Sequence, residues 1–81
     1  MKAMVPNACI RGHEVKTNKK GEEYILIRYE DASGKPETLV DKDMERAKFY
    51  TRDNIMDLYI DIDVGRQFTN IRVIDAKEVK S

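Results

Sequence analysis

The chain has 81 residues, which is enough for a single small domain. Hydrophobic residues make up 41% and charged residues 37%, a balance typical of a folded rather than a disordered protein. Fifteen basic and fifteen acidic residues cancel, so net charge points to no partner, and a nucleic-acid site would require a local cluster of Lys and Arg. Cys9 is the single cysteine, so an internal disulfide is excluded. No apolar run approaches the ~20 residues of a membrane span, and no signal peptide is recognisable. We therefore expect a cytoplasmic protein without a membrane partner.

The first half of the chain predicts three strands joined by two tight turns. Residues 1–7 are expected to be an approach segment, because Pro6 disfavours a central strand. Residues 8–17 predict the first strand, in which Gly12 indicates a bulge or bend. The elements that follow are a hairpin turn at 18–21, a strand at 22–30, a turn at 31–36 and a short strand at 37–40.

The second strand alternates between two faces. One face carries Tyr24, Leu26 and Arg28, and the other carries Ile25, Ile27 and Tyr29. The second set is typical of a barrel interior, so parity favours burial of Tyr29 and exposure of Tyr24. A ligand-facing Tyr29 stays open as the alternative.

The second half predicts a helical turn and two further strands. Met44, Ala47 and Tyr50 recur at three-residue spacing, with Asp41 or Asp43 as a helix cap, so a short helix or a structured loop is expected. From Ile55 the period returns to two. One face then carries Met56, Leu58, Ile60, Ile62 and Val64, and the other carries Asp57, Tyr59, Asp61 and Asp63. A turn at 65–67 leads into a last strand at 68–79.

This order of elements predicts an all-β fold. Three strands, a short helix or loop and two more strands describe a five-stranded, OB-like Greek-key barrel, a fold that often binds single strands or oligosaccharides. An SH3-like barrel fits the strand count nearly as well.

Motifs that would carry catalysis are not recognisable in the sequence. It shows no phosphate-binding glycine loop, no cysteine pair for zinc and no nucleophile elbow, so neither an enzyme nor a cofactor is expected. His13 is the single histidine and is expected on the surface of a strand. Asp57, Asp61 and Asp63 could together approach Mg²⁺, although a solvated strand face that discourages edge pairing is the simpler interpretation.

Basic and aromatic residues alternate around the first hairpin and the last turn. The basic residues are Arg11, Lys16, Lys19, Lys20, Arg28, Arg66 and Arg72, and the aromatic ones are Tyr24, Tyr29 and Phe68. Cationic side chains that follow a backbone, together with rings on which bases stack, are the two parts of a single-strand binding site. The pattern therefore predicts nucleic-acid binding.

Three segments, "NKKGEEY", "YEDASGKPETLV" and "VGRQFTNIRVID", carry a resemblance. In this order they resemble the small single-stranded DNA-binding protein of filamentous phages and its relatives on mobile elements, over residues 15–79. The residues that match that family's pattern are Lys19, Gly21, Tyr24, Tyr29, Gly34, Val64, Gly65, Gln67 and Phe68.

The resemblance implies an OB-type barrel that forms a two-fold homodimer. Such proteins coat single-stranded DNA cooperatively, with little sequence preference, during replication of an element in a bacterial host cell. Lys19 would contact phosphate from a projecting hairpin, Tyr24 would stack on bases with Leu26 beside it, and Phe68 would stack from the partner subunit.

The chain also departs from that family's pattern. The second strand is about three residues shorter between the two tyrosines. Pro36 stands where the family has a further aromatic residue, and Asp41 stands where it has a basic one. The last strand carries Arg72 but no arginine near Asp75. Because of these departures, we expect this chain to bind single-stranded DNA more weakly than that family does, or to bind a different nucleic acid.

Together these observations predict a non-enzymatic single-stranded DNA-binding protein. The predicted nucleic-acid-binding residues are Lys19, Lys20, Tyr24, Leu26, Arg28, Tyr29, Arg66, Phe68 and Arg72. RNA stays open as a ligand, because stacking alone does not distinguish the sugars. Two alternatives also stay open: a protein-interaction module that does not bind nucleic acid, and a metal-dependent nuclease that uses Asp57, Asp61 and Asp63.

Overall fold

The computed structural model describes residues 1–79 as five strands and one short 3-10 helix. The elements are β1 (Lys2–Thr17), β2 (Glu23–Glu30), β3 (Pro36–Asp41), the 3-10 helix (Met44–Phe49), β4 (Ile55–Val64) and β5 (Thr69–Glu78). The strands close into a barrel in the order β1-β2-β3-β5-β4, and neighbours are antiparallel except at the β3–β5 contact. This confirms the OB-like barrel over the SH3-like alternative, and from β2 onward the predicted strand ends lie within one residue of those observed. Within residues 1–79, no helix has the length and apolar character required to cross a membrane.

The predicted approach segment was wrong, because β1 already begins at Lys2. Its N-terminal half pairs with β4, and the register shifts where Pro6 and Asn7 lie. A bulge tolerates a proline because the extra residues stand outside the hydrogen-bond ladder. Asn7 adopts a φ of 53°, and its backbone N–H donates to the Asp57 carboxylate at 3.0 Å. The bulge therefore lets the strand continue through a residue that the sequence rules treat as a breaker.

A second bulge in β1 lies at Gly12, as the sequence predicts. The register to β2 shifts between Ile10 and Gly12, and Gly12 adopts a φ of 155°. A Cβ at this position would lie 3.3 Å from a guanidinium nitrogen of Arg28. The glycine therefore allows both the backbone bend and the close approach of Arg28.

The two tight turns share one hydrogen-bonding pattern. In the first, the Asn18 side-chain oxygen accepts from the backbone N–H groups of Lys20 and Glu22, at 2.9 Å each. In the second, an Asp31 carboxylate oxygen accepts from the backbone N–H groups of Ser33 and Lys35, also at 2.9 Å. Each turn has a glycine at positive φ, as three-residue hairpin loops require, at Gly21 (83°) and Gly34 (85°).

The barrel interior follows the alternation predicted from the sequence. The buried hydrophobic residues are Ala8, Ile10, Ile25, Ile27, Tyr29, Leu39, Tyr50, Met56, Leu58, Ile60 and Val73. Tyr29 is only 6% exposed, which confirms the parity argument for its burial. Val64 was wrongly predicted to belong to the buried face of β4, since it is 69% exposed. The β4–β5 hairpin extends beyond the end of the barrel, so its inward-facing positions lose their cover there.

The 3-10 helix closes one end of the barrel. Asp43 caps it by accepting from the backbone N–H of Glu45 at 3.0 Å, and the three-residue spacing of Met44, Ala47 and Tyr50 corresponds to one 3-10 turn. Asp41 is instead fully buried and accepts hydrogen bonds from Arg46 and Tyr50. The alternative of Asp41 as the cap was therefore wrong.

Candidate nucleic-acid interface

The outward-facing side chains of β1, β2 and β3 form a regular grid. Gly12, Arg28 and Thr38 lie in one row, Glu14, Leu26 and Val40 in the next, and Lys16 and Tyr24 in the third. Residues directly opposite each other on neighbouring strands point to the same side of a sheet. Tyr24, Leu26 and Val40 are each half-buried, and we call these three residues the stacking platform.

The stacking platform is apolar but accessible on one side. Tyr24 and Leu26 lie on the face of β2 opposite the buried Ile25 and Ile27, as their parity predicts. A tyrosine ring can remain half exposed because its hydroxyl is satisfied by water. A flat ring beside an aliphatic side chain is a surface on which an unpaired base can stack.

Arg28 and Lys16 flank the platform, and both contact Glu14. The guanidinium of Arg28 donates to Glu14 Oε1 at 2.6 Å, and Lys16 Nζ lies 3.8 Å from Glu14 Oε2. The hydrogen bond from Arg28 and the two nearby positive charges lower the pKa of Glu14 below its ordinary value. All three side chains are close to half exposed, so water and salt have access to the cluster.

The tip of the β1–β2 hairpin carries two further cations. Lys19 and Lys20 lie in this wing tip, which we define as residues 18–22, and both are exposed. Among residues 1–79, no carboxylate comes within 4.0 Å of either ammonium group. The wing tip therefore presents cations that a phosphate could contact without displacing a partner.

The β4–β5 hairpin presents a second exposed group of predicted residues. Its turn, residues 65–68, is closed by the Gly65 N–H, which donates to the Phe68 carbonyl at 2.9 Å. Phe68 is 68% exposed, and Arg66 is also exposed. Val64, Phe68 and Ile71 are exposed hydrophobic residues of this hairpin, and we refer to the three together as its apolar cluster.

The two hairpins extend from opposite ends of β1. β1 pairs with β2 through its C-terminal half and with β4 through its N-terminal half, and both pairings are antiparallel. The wing tip therefore extends from the C-terminal end of β1. The turn at 65–68 extends from its N-terminal end, because β4 continues past the pair between Lys2 and Asp61. The predicted nucleic-acid-binding residues are thus divided between hairpins at opposite ends of β1.

The remaining predicted cations have acidic neighbours. Arg72 lies on the outer face of β5, and its guanidinium is 3.8 Å from the Asp61 carboxylate. It lines a shallow groove of about 310 Å³ between β3 and β5, together with Val40 and Lys42. Arg11 lies 3.4 Å from both Glu30 and Asp53. The positive charge available to a phosphate is therefore lower than the sequence alone indicates.

Tyr29 was predicted as a nucleic-acid-binding residue, but it is buried and does not belong to the stacking platform. Its side chain packs in the barrel core. Burial raises the pKa of Tyr29 above its ordinary value, and the nearby charges of Glu37 and Asp31 act in the same direction.

His13 and the aspartates of β4 also differ from their predicted surroundings. His13 is half-buried rather than on the surface, and its Nδ1 lies 2.7 Å from the backbone carbonyl of Tyr50. Asp57 and Asp61 are half-buried as well, and each contacts a different polar group. Within the described part of the chain, no group of three His, Cys, Asp or Glu side chains is arranged to hold a metal ion.

Sequence reasoning missed Glu14 and Val40 as parts of this surface. Both follow from register: the three-residue turn after Asn18 sets Glu14 opposite Leu26, and the similar turn after Asp31 sets Val40 on the other side of Leu26. Loop length was therefore a signal from which these neighbours could have been found.

The chain matches no protein family, no curated protein and no solved structure in the comparisons with known proteins.

Proposed function

We propose that this chain is a single-stranded DNA-binding protein that coats DNA with little sequence preference during replication of a phage, plasmid or conjugative element. The observation that carries the proposal is the stacking platform, which lies on an OB-like barrel beside Arg28 and Lys16 and below a wing tip with Lys19 and Lys20. Apolar faces and cations are here adjacent on one surface, as single-strand binding requires.

The platform and the cations contribute to binding in different ways. Stacking of a base on Tyr24, with Leu26 beside it, supplies roughly 1–3 kcal/mol per base and does not depend on base identity. Phosphate contacts from Lys19, Lys20 and Arg28 release counterions, so this part of the affinity falls as salt rises. Duplex DNA is disfavoured because its stacked bases do not offer their faces.

The homodimer is part of the same proposal. Phe68 and Arg66 lie on the hairpin at the opposite end of β1 from Tyr24, and we propose that a second copy supplies them to the surface beside the stacking platform. The exposed apolar cluster of Val64, Phe68 and Ile71 offers that copy a hydrophobic contact. A chain of 81 residues also gains stability from the surface that a partner buries.

The test is a titration with oligo(dT), followed by the intrinsic fluorescence of the protein at a low and a high salt concentration. The chain has four tyrosines and no tryptophan, so quenching reports directly on tyrosine environments. We expect saturable quenching that weakens steeply with salt. Oligo(U) in a parallel titration determines whether RNA binds as well.

Two tyrosine variants separate stacking from other effects. Tyr24→Ala is expected to remove most of the binding, whereas Tyr59→Ala is the matched control, since Tyr59 is equally half-buried but lies on β4. If folded protein shows no binding at low salt, or if both variants lose affinity equally, the proposal fails. Incubation of DNA with the protein and Mg²⁺ tests the nuclease alternative, which predicts degradation.

A protein-interaction module is the second candidate function. The charge pairs of Arg11, Arg28 and Arg72 favour it, because each of these cations already has an acidic neighbour. The exposed apolar cluster would then contact a protein rather than a second copy. Folded protein that leaves oligo(dT) unbound at low salt is the result this candidate predicts.

A further inference from the structure

Glu14 occupies a particular place in the outer grid of β1–β3. It lies directly opposite Leu26, at the side of the stacking platform, and Arg28 and Lys16 lie in the rows on either side of it. Its two carboxylate oxygens are divided between these cations, with Oε1 2.6 Å from Arg28 Nη1 and Oε2 3.8 Å from Lys16 Nζ. A single carboxylate therefore bridges two of the cations beside the platform.

The bulge in β1 leaves space for this bridge. A Cβ at Gly12 would come within 3.3 Å of the Arg28 guanidinium, so the glycine leaves room for that group to lie across β1 towards Glu14. A carboxylate and a phosphate make the same kind of charge-assisted hydrogen bond to a guanidinium. The Glu14 carboxylate thus fills the position, between an arginine and a lysine, that suits a backbone phosphate of a strand stacked on Tyr24 and Leu26.

We infer that Glu14 is an internal competitor for nucleic-acid phosphate, which engages Arg28 and Lys16 in the free chain and limits the affinity of the stacking platform. The inference rests on the proposed function. A strand that binds must displace the Glu14 carboxylate from Arg28, so Arg28 contributes less than an unpaired arginine would. Lys19 and Lys20 make no such exchange and supply the first phosphate contacts.

The test compares wild type, Glu14→Gln and the control Glu78→Gln for binding to oligo(dT) over a series of salt concentrations. Glu78 lies on β5, which does not border β1 or β2, and its substitution makes the same change in net charge. Glu14→Gln is expected to bind at least about fivefold more tightly at low salt, the factor for one unit charge at about 4 Å in water. The slope of log affinity against log salt should become steeper by about 0.7 for each cation that the substitution frees from Glu14 to contact a phosphate.

A double-mutant cycle with Arg28→Gln assigns the gain to this ion pair. The gain from Glu14→Gln should shrink in the Arg28→Gln background, because no arginine is then released. Unchanged or weaker binding of Glu14→Gln, when wild type binds, overturns the role of Glu14 and leaves the proposed function standing. An equal gain in Glu78→Gln also overturns it, because net charge then explains the effect. If neither wild type nor Glu14→Gln binds, the proposed function fails and this inference with it.

Discussion

The hydroxyl of Tyr50 donates a 2.5 Å hydrogen bond to Oδ2 of Asp41, and both residues are fully buried. Arg46 donates two further hydrogen bonds to the same carboxylate, at 2.6 and 2.9 Å. Asp41 is also the residue of β3 that pairs with Val73 of β5, where the barrel closes. The network therefore joins the 3-10 helix to the closure of the barrel.

Tyr50→Phe is expected to destabilise the fold. The substitution leaves a buried carboxylate oxygen without one of its donors, which lowers the free energy of unfolding by about 1–3 kcal/mol. Chemical denaturation followed by circular dichroism measures the change. Tyr59→Phe is the control, since Tyr59 is only half-buried, and it should stay within about 0.5 kcal/mol of wild type. Equal losses in the two variants would contradict a specific role for the bond to Asp41.

The same residue predicts a loss of stability at alkaline pH. Burial, followed by the hydrogen bond to Asp41, raises the pKa of Tyr50 well above its ordinary value of 10.0. Above about pH 10 the unfolded chain loses this proton while the folded chain keeps it, so stability is fully present below that pH and falls as pH rises. Burial of Tyr29 acts in the same direction.

Denaturation curves at neutral pH and above about pH 10 measure this effect. Tyr50→Phe should lose less stability over that interval than wild type. An identical alkaline loss in wild type and Tyr50→Phe would show that Tyr50 does not carry the dependence.

Lys19 and Lys20 are expected to determine much of the salt dependence of binding. Replacing both with Gln should reduce the slope of log affinity against log salt by about 1.4, which is about 0.7 for each phosphate contact with a single strand. The quenching amplitude at saturation should remain, since Tyr24 is unchanged. Lys35→Gln with Lys48→Gln is the control, because these exposed lysines lie outside β1 and β2. An unchanged slope in the Lys19 and Lys20 variant would exclude contacts from the wing tip.

Val64→Asp is expected to prevent dimerisation without unfolding the barrel. Val64 is 69% exposed in the single chain, so a charge is tolerated there until a second copy covers the apolar cluster. Sedimentation equilibrium should show a dimer for wild type and a monomer for the variant. Val15→Asp is the matched control, because Val15 is also an exposed valine on a strand but lies beside the wing tip. A monomeric wild type would show that the chain forms no dimer. Dissociation of the dimer by both variants would show that the apolar cluster is not the specific dimer contact.

The sequence by itself determined the barrel and the direction of most side chains. Alternation in β2 predicted that Ile25, Ile27 and Tyr29 face inward, because a two-residue period has only two possible faces. The turn residues Asn18 with Gly21, and Asp31 with Gly34, predicted both hairpins, because their side chains and their tolerance of positive φ satisfy the loop locally. These are properties of short segments, and they do not depend on the rest of the fold.

Only the tertiary structure decided which charges are available and which residues share a surface. The contact between Glu14 and Arg28 joins residues on different strands, and the burial of Asp41 depends on Arg46 and Tyr50 arriving from the helix. Likewise, the hairpins that carry Tyr24 and Phe68 extend from opposite ends of β1, because β1 pairs with two different strands at its two ends. Such relationships arise from closure of the barrel, because closure brings into contact segments that no local period or turn rule connects.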